Sequence, residues 1–390
     1  MMEGAGRRFI ALDERSMLTR AQRRTGLTDF GDDSFREPLR CLLESLEGEA
    51  RLNFFGRVAA REDLGRLLSN RLELQRDRAL YPGIQAEAIR RPLFIAGMPR
   101  SGSTLLHGLL AQDPANRVPL NWELMYPSPP PERSTFAVDH RMELADRQIR
   151  WFHRLAPDFR KVHPVGARFP EECVVILSHS FLSYQFSSTF YVPTYQSWME
   201  RQDLRPAYEL HRRFLQHLQW HCAGTRWVLK APPHLPELRS LFAVYPDADV
   251  ILTHRDPLEV VASVASLHYV LRKTFSDFVD PALVGPEVTE MLAGDIRRGL
   301  KARDAGCAPP GQFFDVRYNE LLRDPLAAVR QIYSRFDMPL TADAEARMHR
   351  FLADNPQHKE GVHEYSLAQF GLDYERERER YRDYRERFGV

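Results

Sequence analysis

Cysteine is scarce in this 390-residue chain. The four, Cys41, Cys173, Cys222 and Cys307, are scattered and show no Cys-x-x-Cys spacing. A disulfide framework and a thiolate zinc site are therefore not expected; free thiols in a reducing compartment are. Excess charge of either sign is also missing: 54 basic residues face 53 acidic ones, a formal net charge of +1. That excludes a chain-wide nucleic-acid footprint, so any basic patch must be local. No apolar run approaches the length of a membrane span. The first eighteen residues mix Glu3, Arg7, Arg8, Asp13, Glu14 and Arg15 with few apolar side chains. No secretory signal is expected there, and the expected location is cytoplasmic. The sequence has no cluster with metal-ligand spacing, no clear repeat and no low-complexity linker.

What is present is ample apolar material, 43% of the residues, enough for a large core. Phe35, Leu39, Leu42, Leu43 and Leu46 share one helical face, and Leu64, Leu67, Leu68, Leu72 and Leu74 mark a second helix over Arg61 to Arg76. Residues 1–90 read as a helical lead-in packed on a main domain, 91–390. From Arg91 the pattern changes to short apolar runs separated by helices. The strand candidates are Leu93–Ala96, Trp227–Leu229, Val250–Thr253 and Phe313–Val316. Such runs suit parallel strands buried on both faces, so the expected fold is α/β, three-layered around a central parallel sheet. A helical insertion over about 134–222 is rich in aromatics, among them Phe152, Phe181, Tyr184 and Phe190. Base rates assign most of these to the core, with an apolar ligand pocket as the second use. Near the C-terminus, Tyr374, Tyr381, Tyr384 and Phe388 recur at helical spacing in a charged segment, which predicts one solvated helix docked by an aromatic stripe.

The first strand runs into Gly97-Met98-Pro99-Arg100-Ser101-Gly102-Ser103-Thr104 and then a helix start. A glycine-bearing turn of this kind aims backbone N–H groups and a positive helix end at one point, where an anion belongs. Gly97 and Gly102 have the spacing of a nucleotide-binding P-loop, but Ser103 stands where that loop carries lysine. The nearby cation is Arg100 instead. The other strand candidates also end in polar groups: Lys230, Arg255, and Arg317 with Tyr318. Ligands of open parallel sheets bind at the carboxyl ends of strands, so these cations imply a polyanion. After Arg255, Asp256 suits an N-cap, Pro257 the first helical position, and Glu259 a capping box; Ser263 follows two turns in.

The loop resembles the 5′-phosphosulfate loop of sulfotransferases, enzymes that use 3′-phosphoadenosine 5′-phosphosulfate (PAPS) as donor. The resemblance implies that Arg100, Ser101, Gly102, Ser103 and Thr104 hold the phosphosulfate. It implies that Arg255 and Ser263 hold the 3′-phosphate, and that Tyr318, in Arg317-Tyr318-Asn319-Glu320-Leu321, lies near the nucleotide. Lys230 matches a lysine that contacts the transferred group in tyrosylprotein sulfotransferases. Asn121–Pro127 and His363–Leu372 resemble a large bacterial, Sulfotransfer_3-like branch. Two departures stand out. Leu267 lies near the position where the tyrosylprotein enzymes carry a further basic residue, and Lys359 is the candidate to replace a missing basic element. Such enzymes move a sulfuryl group onto a hydroxyl, less often an amine, and release 3′-phosphoadenosine 5′-phosphate (PAP); no metal is required. Arg100 and Lys230 would stabilise the leaving oxygen. Glu123 is the candidate base, against a purely structural role at a helix end, with Glu171 and Glu172 as the next carboxylates. His107 is expected to face the core or sheet. The acceptor class stays open between small molecule, lipid and glycan, and so does the oligomeric state. A P-loop-type nucleotide kinase and a non-catalytic PAP-binding protein are the competing readings.

Overall fold

The computed structural model describes residues 10–155, 165–355 and 366–390. Lys359 and the His363–Tyr365 part of the C-terminal motif lie outside the described residues.

Five strands form one parallel sheet: β1 (Leu93–Gly97), β2 (Asn116–Arg117), β3 (Arg226–Lys230), β4 (Asp249–His254) and β5 (Phe313–Arg317), in the order β2-β3-β1-β4-β5. Four of them match the sequence expectation to within one residue at either end. The fifth, β2, has only two residues and no apolar run to betray it. β1 and β4 are buried along their whole length, as central strands covered on both faces must be. Register sets Ile95 beside Lys230 and Gly97 beside Thr253. The chain leaves β1 for one side of the sheet and returns to the other, so the crevice at the end of β1 is a topological switch point.

Three long helices and one short turn of helix (Gly83–Ala86) precede the sheet among the described residues, the long ones being α1 (Glu14–Thr25), α2 (Arg36–Gly48) and α3 (Phe54–Leu80). The sequence foresaw α2 and the middle of α3 but not α1. Asn53 caps α3 by accepting from the Gly56 N–H at 2.6 Å. Helix α4 (Ser103–Leu110) follows β1. The insertion is helical, with α5 (Arg141–Leu155), α6 (Cys173–Leu177) and α7 (Arg205–Gln219) as its main pieces. Two long helices, α8 (Pro257–Phe275) and α9 (Pro281–Asp304), separate β4 from β5, and α10 (Pro325–Arg335) comes after β5. The expected C-terminal helix is split into α11 (Tyr374–Arg380) and α12 (Arg382–Phe388). Tyr381, Tyr384 and Phe388 are buried as expected, but Tyr374 is 52% exposed.

Side-chain alternation along the strands builds the layers. Leu93, Ile95, Val228 and Ile251 meet Leu106 and Leu109 of α4 and Val329 and Ile332 of α10 on one face. Phe94, Ala96, Leu229 and Leu252 join a second cluster on the other face, which includes Leu39 of α2, Leu64 of α3, Leu215 of α7 and Val261 of α8. The N-terminal helices thus share the core of the sheet. All four cysteines are free thiols.

Candidate active site

β1 ends in Gly97, whose φ of 133° few side chains tolerate. A Cβ there would lie 2.4 Å from the Thr253 carbonyl oxygen, so the loop can leave the sheet this closely only through glycine. Gly102, at φ 86°, would put a Cβ 2.9 Å from Leu321 and 3.1 Å from Tyr318. Arg100 between them also takes the left-handed region, at φ 63°. Ser101 pins the turn. Its Oγ bonds the Met98 carbonyl and lies 2.6 Å from Thr253 Oγ1. The Ser101 hydroxyl therefore faces the inside of the loop, which leaves its backbone for any ligand. Ser103 begins α4, whose first N–H groups lack intrahelical partners.

The cations of the strand ends gather around this loop. Arg255 Nη1 donates to the Arg100 carbonyl oxygen at 2.8 Å, and Arg100 Nε donates to Ser263 Oγ at 3.2 Å. The Arg255 guanidinium lies 4.1 Å from the centroid of the Tyr318 ring. Asp256 caps α8 as expected, accepting from the Leu258 N–H at 3.0 Å. Glu259 was expected to close a capping box; it pairs with Arg255 Nε at 3.0 Å instead. Lys230 is 2% exposed. Its Nζ donates to Thr104 Oγ1 at 3.4 Å and forms an ion pair with Glu172, the residue that leads into α6.

Arg317 does not join this group. Its Nε donates to the Phe388 carbonyl oxygen at 2.7 Å and it pairs with Glu320, so it braces the C-terminal helices. His107 is buried, with Nε2 3.2 Å from the Val228 carbonyl oxygen. Burial, and the nearby Lys230 charge, push its pKa down to about 3.

Glu123, the sequence candidate for the base, stands elsewhere. It is fully buried. Both ends of the Arg117 guanidinium bind its carboxylate, one at 3.0 Å, and the Leu120 N–H donates to it at 2.9 Å. This is the geometry of a structural carboxylate at a helix start. Glu123→Gln would leave a buried guanidinium without its counter-charge. We expect a loss of about 3–5 kcal/mol in stability, read as a lower Tm, with kcat of the folded enzyme unchanged. A kcat loss of about a hundredfold at unchanged Tm would restore Glu123 as the base.

A cavity of about 1100 Å³ runs from the loop into the helical layer. Its polar end is walled by Arg100, Thr104, Arg255 and Tyr318, and Glu171 and Glu172 also line it. Its far part is apolar, with Phe55 of α3, Phe152 of α5, Val175 of α6, Phe190, and Leu271 and Phe275 of α8. Glu171 accepts from the Glu172 N–H at 2.8 Å, and burial raises its pKa to about 7. Sequence reasoning pointed to the insertion aromatics as a pocket wall but missed the share of α8. The spacing of Val264, Leu267, Leu271 and Phe275 was the available signal.

A family model described as the sulfotransferase family matches residues 92–343. The omega-hydroxy-beta-dihydromenaquinone-9 sulfotransferase Stf3 of Mycobacterium bovis, and that of Mycobacterium tuberculosis, are each 26% identical over 297 residues, 71% of either chain. The crystal structure of sulfotransferase STF1 from Mycobacterium tuberculosis H37Rv has a TM-score of 0.85 at 35% identity, covering 95% of this chain and 98% of that one. For sulfotransferase STF9 from Mycobacterium avium the TM-score is 0.86 at 29% identity, with 97% of both chains covered. A parallel sheet with a phosphate-type loop at its switch point, matched along nearly the whole chain, leads to one conclusion: the protein belongs to the sulfotransferase family and is a transferase with its P-loop-like fold.

Proposed function

We propose that this enzyme moves a sulfuryl group from PAPS to a hydroxyl of an apolar, lipid-like acceptor, releasing PAP and a sulfate ester. The observation that carries the reading is a single cavity in which a phosphate-type loop opens onto an apolar chamber, with the Lys230–Glu172 pair beside the loop residue Thr104. A glycan would find few partners among Phe55, Phe152, Phe190 and Phe275, whereas a hydrocarbon body would bury its surface against them. The relative named for a hydroxylated dihydromenaquinone supports the same class.

The loop N–H groups and Arg100 would hold the phosphosulfate, while Arg255 and Ser263 would take the 3′-phosphate and Tyr318 would lie against the nucleotide. In the transfer, the acceptor oxygen forms its bond to sulfur as the bridging sulfur–oxygen bond of the donor breaks. The electron pair stays on the phosphate oxygen of PAP, where Lys230 and Arg100 offset the growing charge. The acceptor proton passes to a carboxylate. Glu172 suits that role, because it touches Lys230 and lines the cavity.

Calorimetry with PAP and with adenosine diphosphate, both without magnesium, tests the donor assignment. PAP is expected to bind far more tightly, and Arg255→Ala to weaken it by about ten- to a hundredfold, the worth of a lost charge-assisted contact. Equal binding of the two nucleotides would sink the PAPS reading in favour of a kinase.

A further inference from the structure

Among the described residues seven histidines are buried, and six have a polar partner. His107 contacts the Val228 carbonyl oxygen, His179 the Val175 carbonyl oxygen, and His217 that of Pro127. His211 meets the Tyr245 hydroxyl, His234 the Tyr208 hydroxyl, and His254 Asp315 and Tyr384. The seventh, His268, is the exception. It is 3% exposed and lines the cavity from α8, between Leu267 and Leu271. Its Nδ1 is buried without a hydrogen bond. Burial, together with the Arg272 charge one turn on, holds its pKa well below the usual range, so the ring is neutral. A neutral imidazole carries one donor and one acceptor. Leaving the buried Nδ1 unmatched in a cavity wall is unfavourable, and an isoleucine or phenylalanine would cover the same apolar surface without that penalty.

We propose that His268 selects the acceptor, by hydrogen bonding a neutral oxygen group, hydroxyl or carbonyl, set along its apolar body away from the reacting hydroxyl. The ring lies five residues beyond Ser263, about 7.5 Å further along the helix. An acceptor reaching from the loop into the apolar chamber would pass it. This inference rests on reading the chamber as the acceptor site. A pocket built to pair a polar group discriminates against an analogue that lacks one far better than an apolar wall discriminates between hydrocarbons.

The test is equilibrium binding to the PAP-loaded enzyme of hexadecan-1-ol and a series of its keto and hydroxy derivatives, with the second oxygen moved along the chain. One position of the oxygen is expected to bind at least about tenfold more tightly than hexadecan-1-ol. His268→Leu should abolish that preference while holding plain hexadecan-1-ol as well as before. His268→Gln, which keeps a donor and an acceptor, should retain part of it. PAP affinity checks that each variant is folded. Equal binding across the series in the unaltered enzyme, a preference that survives His268→Leu, or no binding by any member overturns the proposal. Failure of the donor reading would appear separately, as loss of PAP selectivity. If His268→Leu does not fold, the His268 ring nitrogen shifts of the unaltered enzyme decide: they must move with the preferred derivative and not with hexadecan-1-ol.

Discussion

Glu172→Gln is expected to lower kcat by about two to four orders of magnitude, the worth of a general base, with PAP affinity little changed. The amide keeps the shape of the side chain and can still accept a hydrogen bond from Lys230. It cannot take up a proton. The neighbouring Glu171 supplies a second readout. Burial keeps that carboxyl protonated until about pH 7, and the charge of Glu172 adds to the shift. Above pH 7 Glu171 becomes an anion beside Glu172 and raises the proton affinity of the base. The rate is therefore expected to climb through pH 7, and Glu171→Gln should flatten that step without a loss as large as that of Glu172→Gln. A Glu172→Gln enzyme with near-normal kcat would remove the residue from the mechanism and turn attention to Glu171 itself.

Lys230→Ala is the other large effect. Its ammonium is almost fully buried, close to Thr104 of the loop and held by Glu172. A cation placed there interacts weakly with the ground-state donor compared with the oxygen that gains charge as the sulfur–oxygen bond breaks. Removing one such donor costs roughly 3 kcal/mol of barrier, a fall in kcat of about 10²–10³. PAP binding should persist, because the strand-end arginine, Ser263 and the loop backbone are untouched. Single-turnover kinetics with labelled PAPS would separate the two steps. Turnover surviving at a normal rate would end the assigned role, and loss of PAP binding alongside turnover would recast Lys230 as a donor anchor. The substitution also leaves Glu172 without its counter-charge. The double variant Lys230→Ala/Glu172→Gln is informative for that reason: if both residues act in one transfer step, its loss should fall short of the product of the two single losses.

The sheet was legible because its central strands are short apolar runs with loop signals at both ends, and burial on two faces demands that composition. The switch-point loop was legible because two glycines at fixed spacing answer to two close approaches, to Thr253 and to Tyr318. The proposed base was only a runner-up carboxylate in the sequence. Glu123, in Trp122-Glu123-Leu124, and Glu172, in Glu171-Glu172-Cys173, carry no mark there that tells a base from a structural carboxylate. What separates them is a partner: Arg117 sits on a two-residue edge strand without a pattern of its own, and Lys230 is remote from Glu172 in the chain. The left-handed turn at Arg100 was equally hidden, since arginine carries no signal for it. The apolar chamber was legible only in its insertion aromatics; α3 and α8 each give it a few side chains that in sequence look like ordinary core.

Helix α8 runs from the loop to the apolar chamber. It presents Ser263 at the loop and Leu271 and Phe275 in the apolar chamber. Ser263 and Phe275 are twelve residues apart, about 18 Å of unbroken helix. Such a rod is a ruler. For the proposed acceptor it would fix how far a tail extends before it meets the wall where a side chain on Gly56 of α3 would strike the Phe275 carbonyl oxygen at 1.9 Å. Acceptor length would then be gauged from the same rigid piece that registers the proposed donor, and a kink anywhere along it would detune both measurements together.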